Sequence, residues 1–403
     1  MRILHTADWH LGKRLGEFSR IEEQKAVLNE ICEIADAQKV DAVLIAGDLF
    51  DVLNPTVESI ELYFKTLKRL ANEGKRPVIA IAGNHDSPER IETPEPLARE
   101  CGIIFSGFPD SKISPFELPT GVKILNSDAG FISLKLPAYD YPLNLLLTPY
   151  ANEVRMKSYL GVENEEQELR NILSGSWKAL ADKYCQDDSV NIMVAHLYMV
   201  SKGAEKPEEP DGEKSILHIG GAGEVYFEAV PAQVQYVALG HLHRFQNIGT
   251  KEKPAIYSSS PLQYSFSEAG QEKHVVILEA EPGKPVAYKK VKLTKGRGLF
   301  RKKFDSFEMA GQWLNENQDT LVEITLVADD FIDPAHLRAL HKMHDGIIQI
   351  IPEIRNMKST EGGAVQIDLQ KSTEQLFVDY YKHSKQQNPS EEIIELFREI
   401  LNE

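Results

Sequence analysis

Residues 42–51 read AVLIAGDLFD, an apolar run that ends in Gly47 and Asp48. A run of five aliphatic residues is typical of a strand that is buried on both faces. Four other apolar runs also end in residue types that bind metals: Asp8 and His10 after residues 3–4, Asn84 and His85 after residues 78–82, His196 after residues 192–195, and His241 and His243 after residues 237–239. Because ligands bind beyond the carboxyl ends of strands in open α/β sheets, we expect the five ends to meet at one site.

Strand and helix patterns alternate over the first 104 residues. Strands are predicted at 2–7, 42–47 and 77–82, and helices at 20–38, 56–73 and 89–100. Such alternation predicts a parallel layer with right-handed crossovers. Short β-type runs follow between 104 and 150, then a helix at 163–184 and a strand at 190–195, and the runs at 254–258 and 274–279 predict a second sheet. The predicted fold class is α/β, a two-sheet sandwich flanked by helices.

Breaker residues divide the chain. Residues 202–214 are charged and rich in Pro and Gly, which predicts a loop, and Pro282, Gly283 and Pro285 predict a domain boundary. Beyond them, helices at 306–318 and 334–344 alternate with strands at 321–327 and 347–351, and two amphipathic helices end the chain. We predict a main domain at 1–281, a small α+β capping domain at 282–366 and a helical arm at 367–403.

Composition narrows the classes of function. The formal net charge of −16 argues against a protein that holds a long polyanion alone, although bound divalent ions or a partner could supply positive charge. No window predicts a signal peptide or a membrane span. Cys32, Cys101 and Cys185 are few and widely spaced, which indicates a reduced protein. We therefore expect a cytoplasmic protein without membrane contact.

The clustered polar residues have the chemistry of a metal site. Residues two apart at an extended strand end point to the same side, so Asp8 with His10, and His241 with His243, can each present two ligands. Carboxylate and amide oxygens with imidazoles and no thiolate favour manganese, with iron and zinc less preferred. A lone Asp at a strand end is usually a cap, and a lone His is usually a satisfied side chain. Five such clusters in order favour a centre with two ions.

Five motifs resemble those of calcineurin-like binuclear metallophosphoesterases: Asp8-Trp9-His10, residues 47–51, residues 83–86, Ala195-His196 and residues 240–243. Residues 5–12, 236–243 and 261–268 resemble, more narrowly, the SbcD-type nuclease subunits of bacteria. The resemblance covers essentially the whole chain. One departure is Ser259, which stands where the family usually has Gly. The replacement bears on the local turn geometry and not on the metal site.

The resemblance implies roles for individual residues. It implies one ion held by Asp8, His10, Asp48 and His243, and another held by Asp48, Asn84, His196 and His241, with Asp48 as the bridge. It further implies that His85 meets the scissile phosphate and stabilises or protonates the leaving oxygen. The alternative is that His85 orients Asp48 or Asn84. Asp51 and Asp86 would orient ligands, and Arg90 would contact phosphate or cap a loop.

The implied function is that of a metal-dependent DNA phosphodiesterase. It would act as an exonuclease on duplex ends and as an endonuclease on single-stranded or hairpin DNA, in an SbcC–SbcD-type complex for DNA repair and recombination. Residues 374–402 would dock onto the coiled coil of an SbcC-type ATPase, or else pack onto this chain itself, and helices near 56–73 would form a homodimer. Two alternatives stay open: a phosphodiesterase for small molecules or nucleotides with the same centre, and a non-catalytic protein-binding scaffold.

The remaining histidines receive simpler interpretations. His5 lies inside the first strand and is predicted to pack beneath the metal site. The others are predicted to be solvated surface residues: His218, His274, His336, His341, His344 and His383.

Overall fold

The computed structural model describes residues 1–156, 165–204, 224–328 and 334–355, with residues 332, 377–378, 381, 389, 393–394 and 397. Residues 205–214 of the predicted loop and most of the predicted arm lie outside the described residues. The chain divides into two compact units, Met1–Val327 with Ile332–Pro352, and Ala328–Phe331 with Glu353–Glu403. The first unit contains every predicted site residue.

The secondary structure mixes helices and strands throughout the described residues. The helices are α1 (Ile21–Ala37), α2 (Val57–Ala71), α3 (Pro88–Glu92), α4 (Glu95–Ala98), α5 (Glu153–Met156), α6 (Glu165–Tyr184), α7 (Phe307–Glu316) and α8 (Pro334–Met343). The strands are β1 (Arg2–Thr6), β2 (Arg14–Leu15), β3 (Phe18–Ser19), β4 (Ala42–Ala46), β5 (Val78–Ile81), β6 (Ile103–Ser106), β7 (Lys123–Asp128), β8 (Phe131–Lys135), β9 (Leu143–Thr148), β10 (Val190–His196), β11 (Met199–Val200), β12 (Val225–Tyr226), β13 (Tyr236–Gly240), β14 (Gln246–Asn247), β15 (Ala255–Tyr257), β16 (His274–Glu279), β17 (Ala287–Lys292), β18 (Gly298–Phe304), β19 (Thr320–Ala328) and β20 (Ile347–Ile354). Short 3₁₀ turns occur at Arg99–Cys101, Phe227–Ala229 and Phe266–Glu268. No described helix has the length and apolar character needed to cross a membrane.

The first sheet has the strand order β17-β16-β1-β4-β5-β6. Strands β1, β4, β5 and β6 are parallel, as the alternating pattern predicts. The prediction that residues 274–279 belong to the second sheet was wrong: β16 runs antiparallel to β1, with Arg2 opposite Glu279. Strand β17 then pairs with β16. The first sheet therefore continues past the boundary predicted at residue 282.

The second sheet has the order β14-β15-β13-β10-β9-β8-β7, with β9, β10, β13 and β15 parallel. The two sheets pack face to face, because alternate strand residues such as Leu44 and Ile192 share one core. The intervening positions, such as Val43, pack under α1 and α2 instead. Helix α6 covers the outer face of the second sheet with Leu173 and Trp177. Every central strand is therefore buried on both faces, which explains its continuous apolar run.

The helix predicted at 89–100 is broken in the structure. Helix α3 ends at Glu92 and α4 begins at Glu95, and Pro94 and Pro96 lie at this break. Proline lacks the amide hydrogen that an α-helix needs and disfavours helical backbone in the residue before it. Helix α2, by contrast, has a cap at each end: Thr56 accepts a hydrogen bond from the Ser59 amide, and Asn72 is left-handed.

A third, smaller sheet follows with the order β18-β19-β20. Helices α7 and α8 contribute Leu314 and Leu340 to its core with Ile324. The hairpin of β2 and β3, which follows the first predicted ligand cluster, contributes Leu15 to a separate apolar cluster with Leu299. This cluster links the small sheet to the loop that carries Asp8 and His10.

All three cysteines are free thiols. Two histidines that were predicted to lie on the surface are buried. His274 and His344 are only 6% and 2% exposed, so their prediction as solvated surface residues was wrong. His344 accepts a hydrogen bond from the Gly346 amide, and its other ring nitrogen lies 3.0 Å from the Asn317 carbonyl oxygen. Neither partner follows from a local sequence pattern.

His5 is fully buried between the sheets. Its Nδ1 lies 3.0 Å from the Tyr236 hydroxyl, and its Nε2 lies 3.2 Å from the Leu239 carbonyl oxygen. Burial lowers the pKa of His5 to about 3. The folded protein therefore keeps this ring neutral at pH values where the unfolded chain protonates it.

We predict that His5→Gln makes folding less sensitive to acid. Between about pH 6.5 and pH 3, His5 is protonated in the unfolded chain but neutral in the folded protein. The free energy of unfolding therefore decreases as the pH is lowered through this range. At pH 5 this costs about 2 kcal/mol. Denaturant unfolding of chelator-treated protein at pH 7.5 and pH 5.0 should show a smaller fall for His5→Gln than for wild type. The exposed His341→Gln is the control, and an equal fall in all three proteins would contradict the prediction.

Candidate metal centre

The five predicted strand ends converge. Strands β1, β4 and β5 of the first sheet lead to Asp8, Asp48 and Asn84, and strands β10 and β13 of the second sheet lead to His196 and His241. Six of the residues are at most 3% exposed: Asp8, His10, Asp48, His196, His241 and His243. Asn84 and His85 are half-buried. The structure thus brings together the seven residues predicted as metal ligands and His85.

Four of these residues have left-handed backbone: Asp8, His10, Asp48 and His241 have φ values of 55°, 43°, 49° and 104°. Non-glycine residues rarely adopt positive φ. Each costs of order 1–3 kcal/mol and persists only where the surroundings enforce it, which is common at functional sites. The backbone at the strand ends is therefore bent so that side chains turn into the space between the sheets.

Glycines allow the two sheets to approach each other here. A Cβ atom on Gly240 would lie 1.8 Å from the Ala46 carbonyl oxygen, and one on Gly83 would lie 2.1 Å from Asp48 Oδ1. A Cβ atom on Gly47 would lie 2.2 Å from His196 Nδ1. No side chain fits at these positions, so the sequence patterns Gly-Asp, Gly-Asn and Gly-His reflect close contact between strand ends.

One group of donor atoms forms around His10. Its Nε2 lies 3.0 Å from His243 Nε2 and 3.5 Å from Asp48 Oδ2. Asp8, His10 and His243 have donor atoms within 4.8 Å of one another. Two imidazole nitrogens that face each other beside carboxylates are well suited to share a cation.

A second group forms around His196. Its Nε2 lies 2.8 Å from Asn84 Oδ1 and 3.3 Å from Asp48 Oδ2. His241 Nδ1 lies 3.1 Å from the same Asn84 oxygen. Asp48 Oδ2 is therefore close to both groups, which is the position that a bridging carboxylate requires.

The burial and charge of Asp8 and Asp48 favour the binding of a cation. Burial raises the pKa of Asp8 to about 7, against the opposing effect of His196 and His243. Burial acts on Asp48 in the same direction, but His196 and His85 hold the pKa of Asp48 well below its usual value. Oδ2 of each carboxylate is buried without a hydrogen-bond partner among the described residues. Burying such oxygens is unfavourable unless something compensates, and divalent ions fit this donor set.

Main-chain and side-chain partners fix the imidazole orientations. His196 Nδ1 lies 2.8 Å from the Ala46 carbonyl oxygen, so we assign the proton to Nδ1 and the lone pair to Nε2. His85 Nδ1 lies 2.8 Å from the Asp51 carbonyl oxygen, and the His85 amide donates to Asp48 Oδ1. His85 is more exposed than the histidines around it. It therefore lies at the open side of the site.

Two residues support the loop that carries Asn84 and His85. The Asp86 carboxylate accepts hydrogen bonds from the amides of Gly83, Leu49 and Phe50, which ties this loop to the one that carries Asp48. The Arg155 guanidinium donates to the Gly83 and Asp86 carbonyl oxygens, each at 2.7 Å. Sequence reasoning included Asp86 but missed Arg155, because no motif surrounds Arg155.

Three other predicted residues have simpler surroundings. The Asp51 carboxylate lies 2.8 Å from Lys13 Nζ and 3.6 Å from His10 Nδ1, in keeping with an orienting role. Arg90 is exposed on α3, where its amide donates to the Ser87 cap. Ser259 has a φ of 83°, so it adopts a glycine-type turn in spite of its side chain.

Comparisons with known proteins identify the family of this chain. The family model of the calcineurin-like phosphoesterases matches residues 1–245. The D subunit of nuclease SbcCD from Bacillus subtilis (strain 168) is 34% identical over 409 residues, which cover 99% of this chain and 97% of the relative. The chain belongs to the calcineurin-like phosphoesterases, among the SbcD-type nuclease subunits. It is accordingly a metal-dependent phosphoesterase, of a family that uses divalent ions at a binuclear centre.

Two further proteins are similar to this chain. The D subunit of nuclease SbcCD from Rhodobacter capsulatus is 33% identical over 290 residues, which cover 70% of this chain and 67% of the relative. A solved dimetal phosphatase from Danio rerio covers 73% of this chain and 99% of its own at 11% identity, with a TM-score of 0.38. That score is too low to bear on the site of this phosphoesterase.

We predict that Gly83→Ala weakens metal binding. The added methyl group would displace Asp48, which the geometry places between both donor groups. Loss of support for a ligand typically costs 10–100-fold in metal affinity, so about this loss should appear in a Mn²⁺ titration. Gly175→Ala is the control, because Gly175 lies in α6 with open space around it. Unchanged Mn²⁺ affinity in a folded Gly83→Ala protein would contradict the prediction.

Proposed function

We propose that this chain is a DNA phosphodiesterase with two metal ions, one bound by Asp8, His10, Asp48 and His243, and one bound by Asp48, Asn84, His196 and His241. The observation that carries the proposal is the position of Asp48 Oδ2, 3.5 Å from His10 Nε2 and 3.3 Å from His196 Nε2. Manganese is the metal that this mixture of oxygen and imidazole donors favours.

The metal ions and the side chains have separate roles in the proposed cleavage. Paired divalent ions, when bound, orient an in-line attack on phosphorus and neutralise charge on the attacked and leaving oxygens. The ligand side chains would hold these ions in the buried space between the sheets. The Asp51 carbonyl oxygen holds Nδ1 of His85, so Nε2 of the protonated ring is the atom that would deliver a proton to the leaving oxygen.

DNA is the substrate class we propose, with exonuclease action on duplex ends and endonuclease action on single-stranded or hairpin DNA. The full-length relative is named as the D subunit of an SbcCD nuclease, which supports an assembly with an SbcC-type ATPase. The net charge of −16 supports the same assembly, because a partner could provide the basic surface for DNA. Residues 374–402 are the proposed docking segment, and the cytoplasm is the proposed location.

A homodimer is also part of the proposal. Val52 and Leu53 in the loop before α2, and Val57 at its first position, are 51%, 59% and 81% exposed. They lie beside or within an apolar groove of about 400 Å³ that Phe64 and Ile91 also line. Exposed apolar side chains beside such a groove are typical of a protein–protein interface. A second copy of the chain is the occupant that the resemblance implies.

We predict that His85→Ala lowers the turnover of Mn²⁺-dependent DNA cleavage by about 10²–10⁴-fold, the usual contribution of general acid–base catalysis. The Mn²⁺ affinity should change little, because His85 is not among the proposed ligands. The exposed His341→Ala on α8 is the matched control. Unchanged cleavage would remove His85 from catalysis, and a parallel loss of Mn²⁺ binding would instead favour a role in orienting Asp48 or Asn84.

The substrate class can be tested with one panel. Purified protein with Mn²⁺ would receive duplex, single-stranded and hairpin DNA beside a small phosphodiester, with and without the ATPase partner. We expect cleavage of DNA. Full activity on the small ester with none on any DNA would replace the proposal by a small-molecule phosphodiesterase, and inactivity on every substrate would favour a scaffold.

A further inference from the structure

A buried ion pair lies directly behind His243. Glu268 is 2% exposed and Lys273 is 6% exposed, and Glu268 Oε2 lies 2.5 Å from Lys273 Nζ. Neither residue belongs to a motif that predicts metal ligands. Burying two charged groups is costly unless their geometry and hydrogen bonds are good, so the contacts of this pair matter.

The pair holds both the ring and the backbone of His243. Glu268 Oε1 lies 3.3 Å from His243 Nδ1, and it also accepts hydrogen bonds from the Tyr264 amide and the Ser265 hydroxyl. Lys273 Nζ donates to the His243 carbonyl oxygen at 2.8 Å and to Ser260 Oγ at 2.9 Å. The carboxylate is thus fixed from several sides, and it faces the ring nitrogen that points away from the metal centre.

This arrangement differs from that of the other histidines with an assigned ring. His196 and His85 each meet a neutral main-chain carbonyl oxygen through Nδ1. His243 meets a carboxylate instead. A carboxylate partner fixes the tautomer of an imidazole and makes its other nitrogen a stronger donor to a metal. In His243 that other nitrogen is Nε2, which lies 3.0 Å from His10 Nε2 in the first donor group.

We propose that Glu268 and Lys273 are positioning residues for the ion of the His10 group: Glu268 accepts the Nδ1 proton of His243 and so directs Nε2 to the metal, and Lys273 fixes the Glu268 carboxylate. This inference rests on the proposed function, because it takes His243 to be a metal ligand. It adds a function for two buried charges that the ligand set does not use.

A purely structural role is the alternative to exclude. A buried ion pair can often be replaced by apolar residues of similar volume without loss of stability. The double variant Glu268→Leu/Lys273→Met removes both charges and the acceptor for His243. If the pair only fills space, this variant should fold and bind metal as wild type does. If the pair positions His243, the variant should fold but bind one ion weakly.

The single variant Glu268→Gln tests the tautomer. Lys273 and the Tyr264 amide both donate to this carboxylate, and the charged Lys273 forms the stronger hydrogen bond. We therefore expect the new amide to present its oxygen to Lys273 and its NH₂ group to His243 Nδ1, with loss of the hydrogen bond from the Tyr264 amide. The proton of His243 then moves to Nε2, where it blocks the metal. Glu272→Gln is the matched control, because Glu272 is exposed and pairs with Lys292.

The experiment measures Mn²⁺ binding by electron paramagnetic resonance of the free ion, and histidine tautomers by ¹⁵N NMR of the metal-free protein. We expect two Mn²⁺ ions per wild-type and Glu272→Gln chain. In Glu268→Gln and in the double variant, we expect about 10–100-fold weaker binding of one ion and unchanged binding of the other. The His243 proton should lie on Nδ1 in wild type and on Nε2 in Glu268→Gln.

Each contrary result has a distinct meaning. Wild-type affinity for both ions in Glu268→Gln, or in a folded double variant, would overturn the positioning role and leave the proposed metal centre intact. A wild-type protein that binds no Mn²⁺ would overturn the metal centre and this inference together. A His243 proton on Nε2 in wild type would also overturn the inference.

Discussion

The close contact between the ends of two sheets is the constraint on which the rest of this structure depends. Gly240 lies against the Ala46 carbonyl oxygen, and Gly83 lies against Asp48, with no room for a side chain at either glycine. Because each sheet contributes part of the donor set, neither sheet alone can form the centre. The sandwich core, the crossover helices and the glycines in the motifs all serve to bring these strand ends together.

Polar groups in the site are held by the backbone as much as by each other. Asp8, His10, Asp48 and His241 adopt left-handed backbone, and Asp86 accepts three amide hydrogen bonds that join two ligand-bearing loops. Such conformations are unfavourable in isolation. They are maintained because the strands on either side are fully buried. The stability of the core therefore enforces the geometry of the centre before any ion binds.

The central strands and the convergence of their ends were predictable from the sequence, because a strand buried on both faces is a local apolar run and its ligands follow it directly. The partners of β16, the burial of His344 and the contacts of Arg155 were not, because they depend on packing between residues far apart in the chain. Prolines explain the broken helix at 89–100, and that signal was present. Glu268 ends a stretch that resembles the family, but the pairing of Glu268 with Lys273 was not predictable, since charged residues five apart are ordinary in any sequence.

The order of the ligands along the chain has a consequence for biosynthesis. Asp8 and His241 are 233 positions apart, yet the His241 amide donates to Asp8 Oδ1 at 2.8 Å. The first sheet is also incomplete until β16 pairs with β1, so well over half of the polypeptide must leave the ribosome before the donor set can form. Cations captured before that moment meet an incomplete set of donors, so selection of the correct metal belongs to the finished sandwich and not to the nascent chain.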